Sequence, residues 1–335
     1  MKKIIPLVLI ILMLSGCSAV SGTYSDSFFA MDTYMTVTVN GKNAEKAVKE
    51  AETEIKKLDK KLSAHSESSE IYKLNKNGSA KLSRESADLI KRALKFNKLT
   101  DGAFNPAMLG VSELWGFSDK KYKVPSDKEL AEALKKVKPE KITVKNNTVD
   151  LNVKGMKIDL GGIAKGYTSE KIVTLLKKKG IDSALLNLGG NVQALGSKPD
   201  GSGWNIAIEN PDKKSYLGQL AVKDKAVVTS GGYERYFKKN GKTYHHILNS
   251  KTGNPAESGL KSVTVISGSG TLADALSTSL FVMGEDKAVK FWAKSDKDFD
   301  IILYTKGGDL KISEGLADKF KSDMNYTVIK RSDYE

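Results

Sequence analysis

Two groups of side chains in this chain are spaced for phosphate and hard-cation chemistry. The first spans Met156 to Lys171. Alternation of Met156, Ile158 and Leu160 predicts a short strand running into Gly161-Gly162, and a helical pattern follows from Ala164 to Lys179, with Gly180 as its cap. Paired glycines let backbone approach a ligand closely, and a helix N-terminus offers unpaired N–H groups to phosphate. Asp159 and Lys165 flank the turn, so a cation-seeking and an anion-seeking group meet there. It is not a P-loop, because Lys165 follows no G-x-x-x-x-G and precedes Gly166. An ordinary strand-to-helix turn would have the same spacing. The second group is Asp274, Ser277 and Thr278 on an apolar helix. Asp274 and Thr278 are four apart and share a face, with Ser277 beside them. A carboxylate with hydroxyls is a hard-oxygen set that suits Mg²⁺ and not zinc. A surface carboxylate beside a self-bonded threonine would leave the same hexamer.

A base for proton transfer has few sources. The chain holds three histidines, His65, His245 and His246. The last two close a hairpin signalled by Asn240-Gly241, and successive strand residues point to opposite faces. Only one of that pair can therefore face a given phosphorus. Gly268-Ser269-Gly270-Thr271-Leu272-Ala273 matches a dinucleotide fingerprint, but Trp292 and Ala293 stand about 20 residues on, where an acid is expected, and no βαβ repeat precedes it.

The elements that must position these groups are helical early and stranded late. A strand is expected over Phe28–Asn40, then an amphipathic helix capped by Asn43 with a stripe of Ala44, Ala47, Ala51, Ile55, Leu58 and Leu62. Further helices are expected at Ser86–Leu99 and after the Ser126/Glu129 capping box. Strands follow at Ala184–Leu188, Val192–Leu195 and repeatedly up to Lys261–Ile266. Helices then return at Leu272–Met283 and Lys287–Lys294. This order predicts an α+β fold with mixed sheets and packed helices in a single domain.

The N-terminus reads as a targeting segment. Lys2-Lys3 precede an apolar run, Ile4 to Leu14, too short to span a bilayer. Leu14-Ser15-Gly16-Cys17 then resembles the lipobox of bacterial lipoprotein signals. The expected organisation is a signal peptide at 1–16, a lipid-anchored tether at 17–27 and a catalytic domain at 28–335, held at the extracytoplasmic face of the cell membrane. Lipidation of Cys17, the one cysteine, leaves no disulfide and no thiol catalysis. The chain has 335 residues and carries 54 basic against 40 acidic residues, a net +14 that suits an anionic surface or phosphorylated ligand. Nucleic acid is disfavoured, because the lysines are scattered over helix faces and no recognition motif appears.

Taken together, the motifs resemble the bacterial FAD:protein FMN transferases. They run in order through AMDTYMTV at Ala30, DGAFNPA at Asp101, LWGF at Leu114 and DLGGIAKGY at Asp159. LLNLGGNVQALG at Leu185, TSGGYERYF at Thr229, HHILNSKTG at His245 and ADALSTSLFVMG at Ala273 complete the set. The resemblance implies Mg²⁺-dependent transfer of FMN from FAD to a threonine or serine hydroxyl of a membrane-associated flavoprotein, with AMP released. It implies flavin and adenine contacts at Met31, Tyr72, Ala103, Phe104, Asn105, Asp159, Lys165 and Leu248. It places Mg²⁺ on Asp274, Thr278 and Ser277 with the Gly162 carbonyl opposite, and selects His246, the histidine before Ile247, as general base. Four positions depart from the usual pattern: Asn249-Ser250 for Asp-Pro, Asn105 for a frequent Asp, and Gly232 for a polar residue. Hydrolysis of FAD to FMN and AMP is the alternative activity, and a non-catalytic flavin-binding lipoprotein the alternative class.

Overall fold

The computed structural model describes residues 21–213, 215–296 and 298–334. The expected signal peptide, Cys17 and the first tether residues lie outside them. The described chain opens on two antiparallel strands, β1 (Ser21–Ala30) and β2 (Thr33–Lys42), joined through Met31 and Asp32. Both turn residues take left-handed φ, 48° and 58°, which matches the right-handed twist of a two-residue hairpin. This corrects two expectations: Ser21–Ser27 is strand, not tether, and Phe28–Asn40 is a hairpin, not one strand. The physical reason lies in polar pairing. Ser25 and Ser27 meet Thr38 and Thr36 across the ladder at 2.8 Å, and Asp26 pairs with Lys49 of the next helix.

That helix, α1 (Ala44–Leu62), buries the expected alanine and leucine stripe. After it come α2 (Glu70–Asn77), β3 (Ser79–Lys81), α3 (Arg84–Leu99), α4 (Leu109–Trp115) and α5 (Asp127–Leu134). The Ser126/Glu129 capping box is formed at α5. Strands β4 (Thr143–Lys145) and β5 (Thr148–Asp150) join β3 in a small sheet. Next is α6 (Gly161–Lys178), which begins three residues earlier than its pattern suggests and takes both glycines into its first turn. The segment before it alternates and is buried, yet it joins no sheet. Asn75 brackets Ile158, donating to its carbonyl at 2.8 Å and accepting its N–H at 2.7 Å. The Asp159 N–H donates to Pro106 O at 2.8 Å. A side-chain amide and a loop carbonyl thus replace the strand partner that alternation implied.

The second half supplies β6 (Ser183–Leu188), β7 (Asn191–Leu195), β8 (Trp204–Glu209), β9 (Tyr216–Val222) and β10 (Ala226–Gly231). A separate hairpin, β11 (Tyr236–Lys239) and β12 (Lys242–His245), precedes β13 (Leu260–Ser267). Helices α7 (Gly270–Met283) and α8 (Glu285–Lys294) follow, then β14 (Phe299–Thr305), β15 (Leu310–Ser313), β16 (Phe320–Lys321) and β17 (Thr327–Ile329). The main sheet runs β1-β2-β6-β7-β10-β13-β14-β15-β17, antiparallel except where β15 meets β17. Period-two alternation divides its core. Val228, Val265 and Ile301 pack beneath α7 and α8 with Leu280 and Trp292. Their neighbours Val227, Ile266 and Ile302 pack against the small β16-β9-β8 sheet with Ile206 and Leu220. The architecture is α+β with mixed sheets, as expected.

Candidate active site

Helices α6 and α7 cross with almost no space between their backbones. A Cβ on Gly166 would lie 2.1 Å from the Gly270 carbonyl oxygen, and one on Gly270 would lie 2.8 Å from that of Gly166. Glycine at both positions permits this approach. The crossing sets Asp274 of α7 against the first turn of α6. There the Gly166 N–H, which an α-helix aims at the Gly162 carbonyl, reaches Asp274 Oδ2 at 2.8 Å. Asp274 is 4 % exposed. Burial raises its pKa, while the Lys165 cation and the Gly166 N–H oppose that rise.

Around this crossing opens a cavity of about 340 Å³. Its lining brings together Met31, Ala103, Phe104, Asn105, Asp159, Gly162 and Lys165 from the first half, and His246, Leu248, Asp274 and Thr278 from the second. Those residues come from segments more than 200 positions apart. Gly162 is wedged at the meeting point, since a Cβ there would stand 3.2 Å from the Phe104 ring and 3.7 Å from Thr278 Oγ1. Asp159 accepts the Gly161 N–H at 3.0 Å. Asn105 accepts the Ala107 N–H at 2.9 Å, so its amide caps a short 3₁₀ turn at the cavity edge.

Two expected residues do not line the cavity. Tyr72 sits on α2, its N–H donating to the Ser69 hydroxyl at 2.9 Å. Ser277 is fully buried behind the crossing, its hydroxyl bonded to the Asp274 carbonyl at 3.0 Å and to Ser230 Oγ at 2.8 Å. That hydroxyl is spent inside the protein, so of Ser277 and Thr278 only Thr278 lines the cavity.

The two neighbouring histidines part as strand geometry demands. His245, the last residue of β12, turns inward and meets the Phe281 ring edge-on at 5.5 Å. His246 faces the cavity beside Phe117, 6.4 Å between ring centroids. Its backbone N–H and ring Nδ1 both reach the Arg235 carbonyl, at 3.1 and 3.2 Å. A carbonyl oxygen only accepts, so Nδ1 carries the proton and Nε2 keeps its lone pair. Burial, reinforced by the Arg235 cation, lowers the His246 pKa to about 4. The ring is neutral at physiological pH with a bare nitrogen available.

Further wall residues come from motifs quoted above whose individual members carried no role. Asp32 follows Met31 in the left-handed turn, and Ser230, Glu234 and Arg235 all belong to TSGGYERYF. The Glu234 carboxyl is raised by desolvation, with Lys165 and Arg235 opposing. His65, read as a loop histidine, also lines the cavity. Among the described residues, no three His, Cys, Asp or Glu side chains form a metal-binding group.

The family model described as the ApbE family matches residues 31–303. An FAD:protein FMN transferase of Klebsiella pneumoniae (strain 342) is 35% identical over 253 residues, 74% of this chain and 78% of the relative. One from Treponema pallidum (strain Nichols) is 35% identical over 295 residues, 82% and 81% of the two chains. Among solved structures, the ApbE protein of Thermotoga maritima superposes with a TM-score of 0.83 at 35% identity, covering 90% of this chain and 100% of that one. The flavin transferase ApbE of Vibrio cholerae gives 0.80 at 26% identity, over 89% and 99%.

Proposed function

The chain belongs to the ApbE family and is a transferase that moves FMN from FAD to a protein, and we propose that the acceptor is a threonine or serine hydroxyl deprotonated by His246. The observation that carries this reading is the fixed tautomer of His246, neutral and with Nε2 free beside the cavity. The acceptor oxygen attacks the phosphorus on the FMN side of the pyrophosphate. The bond from that phosphorus to the bridging oxygen breaks, AMP departs with the bridging oxygen, and the hydroxyl proton passes to His246 Nε2. Lys165 and the first turn of α6 meet the pyrophosphate charge. Met31, Ala103, Phe104, Asn105, Asp159 and Leu248 would hold the flavin and adenine ends.

The residues at the helix crossing fit Mg²⁺. Asp274 is a buried carboxylate, Thr278 adds a hydroxyl oxygen, and the Gly162 backbone lies beside them. This is an all-oxygen set of low charge, as Mg²⁺ prefers. Bound there, the ion would supply neutralisation of charge on the departing AMP.

Incubation with FAD, Mg²⁺ and membrane-protein fractions tests the reading. Covalent flavin fluorescence on a denaturing gel, lost in His246→Ala, is the expected result. FMN and AMP accumulating with no labelled protein would favour hydrolysis instead. We infer from the lipobox that Cys17 carries a lipid and holds the enzyme at the extracytoplasmic face of the membrane. No helix among the described residues is long and apolar enough to cross a bilayer.

A further inference from the structure

Asn191, the first residue of β7, is 1 % exposed, and neither its amide nitrogen nor its amide oxygen has a hydrogen-bond partner. Burying an amide with both ends unsatisfied costs more than burying an apolar residue of the same size. The neighbouring strand position shows that the fold can satisfy an amide here. Gln193, two residues on, reaches the Ala194 carbonyl and the Ser169 hydroxyl, each at 3.5 Å. Asn191 lies behind the α6–α7 crossing, close enough to favour the ionised form of Asp274 although it makes no hydrogen bond of normal geometry to it. The Gly166 N–H already occupies Asp274 Oδ2.

We propose that Asn191 is a positioning residue for the Asp274 carboxylate, its NH₂ holding Oδ1 toward a bound Mg²⁺ and its carbonyl accepting from a water of that ion. The proposal rests on the magnesium reading given above. Its chemistry follows from what the amide presents. An NH₂ donates to a carboxylate that must stay ionised in a buried place, where a second carboxylate would repel it. The orphaned oxygen needs a donor, and Mg²⁺ keeps several of its waters when it binds. Groups that orient a metal ligand without touching the metal typically change affinity by roughly 10- to 100-fold when removed.

The test is metal affinity in FAD-free protein, read by Mn²⁺ electron paramagnetic resonance and by the rise in melting temperature on adding Mg²⁺. Asn191→Leu keeps the branched outline at a larger volume and removes the polar groups, and Asn191→Ser serves where the leucine variant does not fold. The expected result is Mn²⁺ binding weakened about 10- to 100-fold, with a metal-free melting temperature close to the parent's. Affinity within twofold of the parent, alongside loss of binding in Asp274→Ala, would overturn the role of Asn191. Equal affinities in the parent and Asp274→Ala would remove the magnesium reading itself, and this proposal with it.

Discussion

At the residue scale, His246 is defined by a carbonyl. The Arg235 oxygen accepts a hydrogen bond from the protonated Nδ1, so the basic nitrogen is the one left toward the cavity. Replacing His246 with Ala removes that nitrogen and should slow flavin transfer by roughly 10²- to 10⁴-fold, with FAD affinity nearly unchanged. His245→Ala should leave transfer intact, because its ring packs on Phe281. Single-turnover transfer at saturating FAD, with binding followed by fluorescence quenching, separates the two variants. The depressed pKa has two consequences of different position on the pH axis. His246 stays unprotonated until pH falls to about 4, so the acid limb of its rate profile should lie near 4 and not near 6.5. Unfolded, the ring binds its proton at about 6.5. Its contribution to stability is therefore full above 6.5 and declines as pH falls from there toward 4. A rate limb near 6.5 in the parent would assign the base elsewhere. Parity, which needs only a strand, showed that one of the two histidines could face the site, and the family resemblance selected His246 over His245. Sequence could not place Ser277, because whether a hydroxyl faces a cavity or a neighbouring serine depends on which element lies behind the helix.

At the element scale, the site depends on how closely α6 and α7 approach. Gly166→Ala drives a Cβ to 2.1 Å from the Gly270 carbonyl, a contact only helix separation can relieve. The expected cost is about 1–3 kcal/mol of stability, together with a weakened Mg²⁺ response, because Asp274 loses its place against the first turn of α6. Gly110→Ala in α4 is the control. Nothing lies within 4 Å of a Cβ there, so a gain of up to about 1 kcal/mol is expected from better helix propensity. Denaturant unfolding of both variants, with Mg²⁺ titration of the first, checks the contrast. Gly161-Gly162 were legible as a place where backbone approaches a ligand, but the helix contact at Gly166 was not, since its partner Gly270 lies over 100 residues downstream. Strand β1 was hidden for a different reason. Its inward positions include Asp26, which pairs with Lys49 of α1, so alternation of apolar residues breaks where a long-range ion pair replaces one of them.

At the scale of the whole molecule, fold class was readable because long periodic helices and spaced strands survive averaging, whereas sheet order joins strands far apart in sequence. The same scale governs the proposed attachment of the enzyme to a membrane. Two attachments compete. A lipid on Cys17 would insert acyl chains into the bilayer, and with Lys2 and Lys3 removed in the signal peptide the mature chain would still carry +12, enough to draw it to anionic lipid. These respond oppositely to salt. Charge attraction at a surface fades once the Debye length shrinks to roughly 3 Å at 1 M ionic strength, whereas acyl insertion is apolar burial and persists. Strand β1 begins at Ser21, so four peptide units separate its first Cα from that of Cys17, a reach of at most about 14 Å. A lipid there would hold the folded domain against the surface, where its positive charge adds to binding only at low salt. Cys17→Ala, with export verified, should therefore fractionate partly with membranes at low salt and wash free at 1 M, while the parent stays bound at both and both retain transferase activity on solubilised acceptor. Retention of Cys17→Ala at 1 M salt would mean that another element anchors the chain.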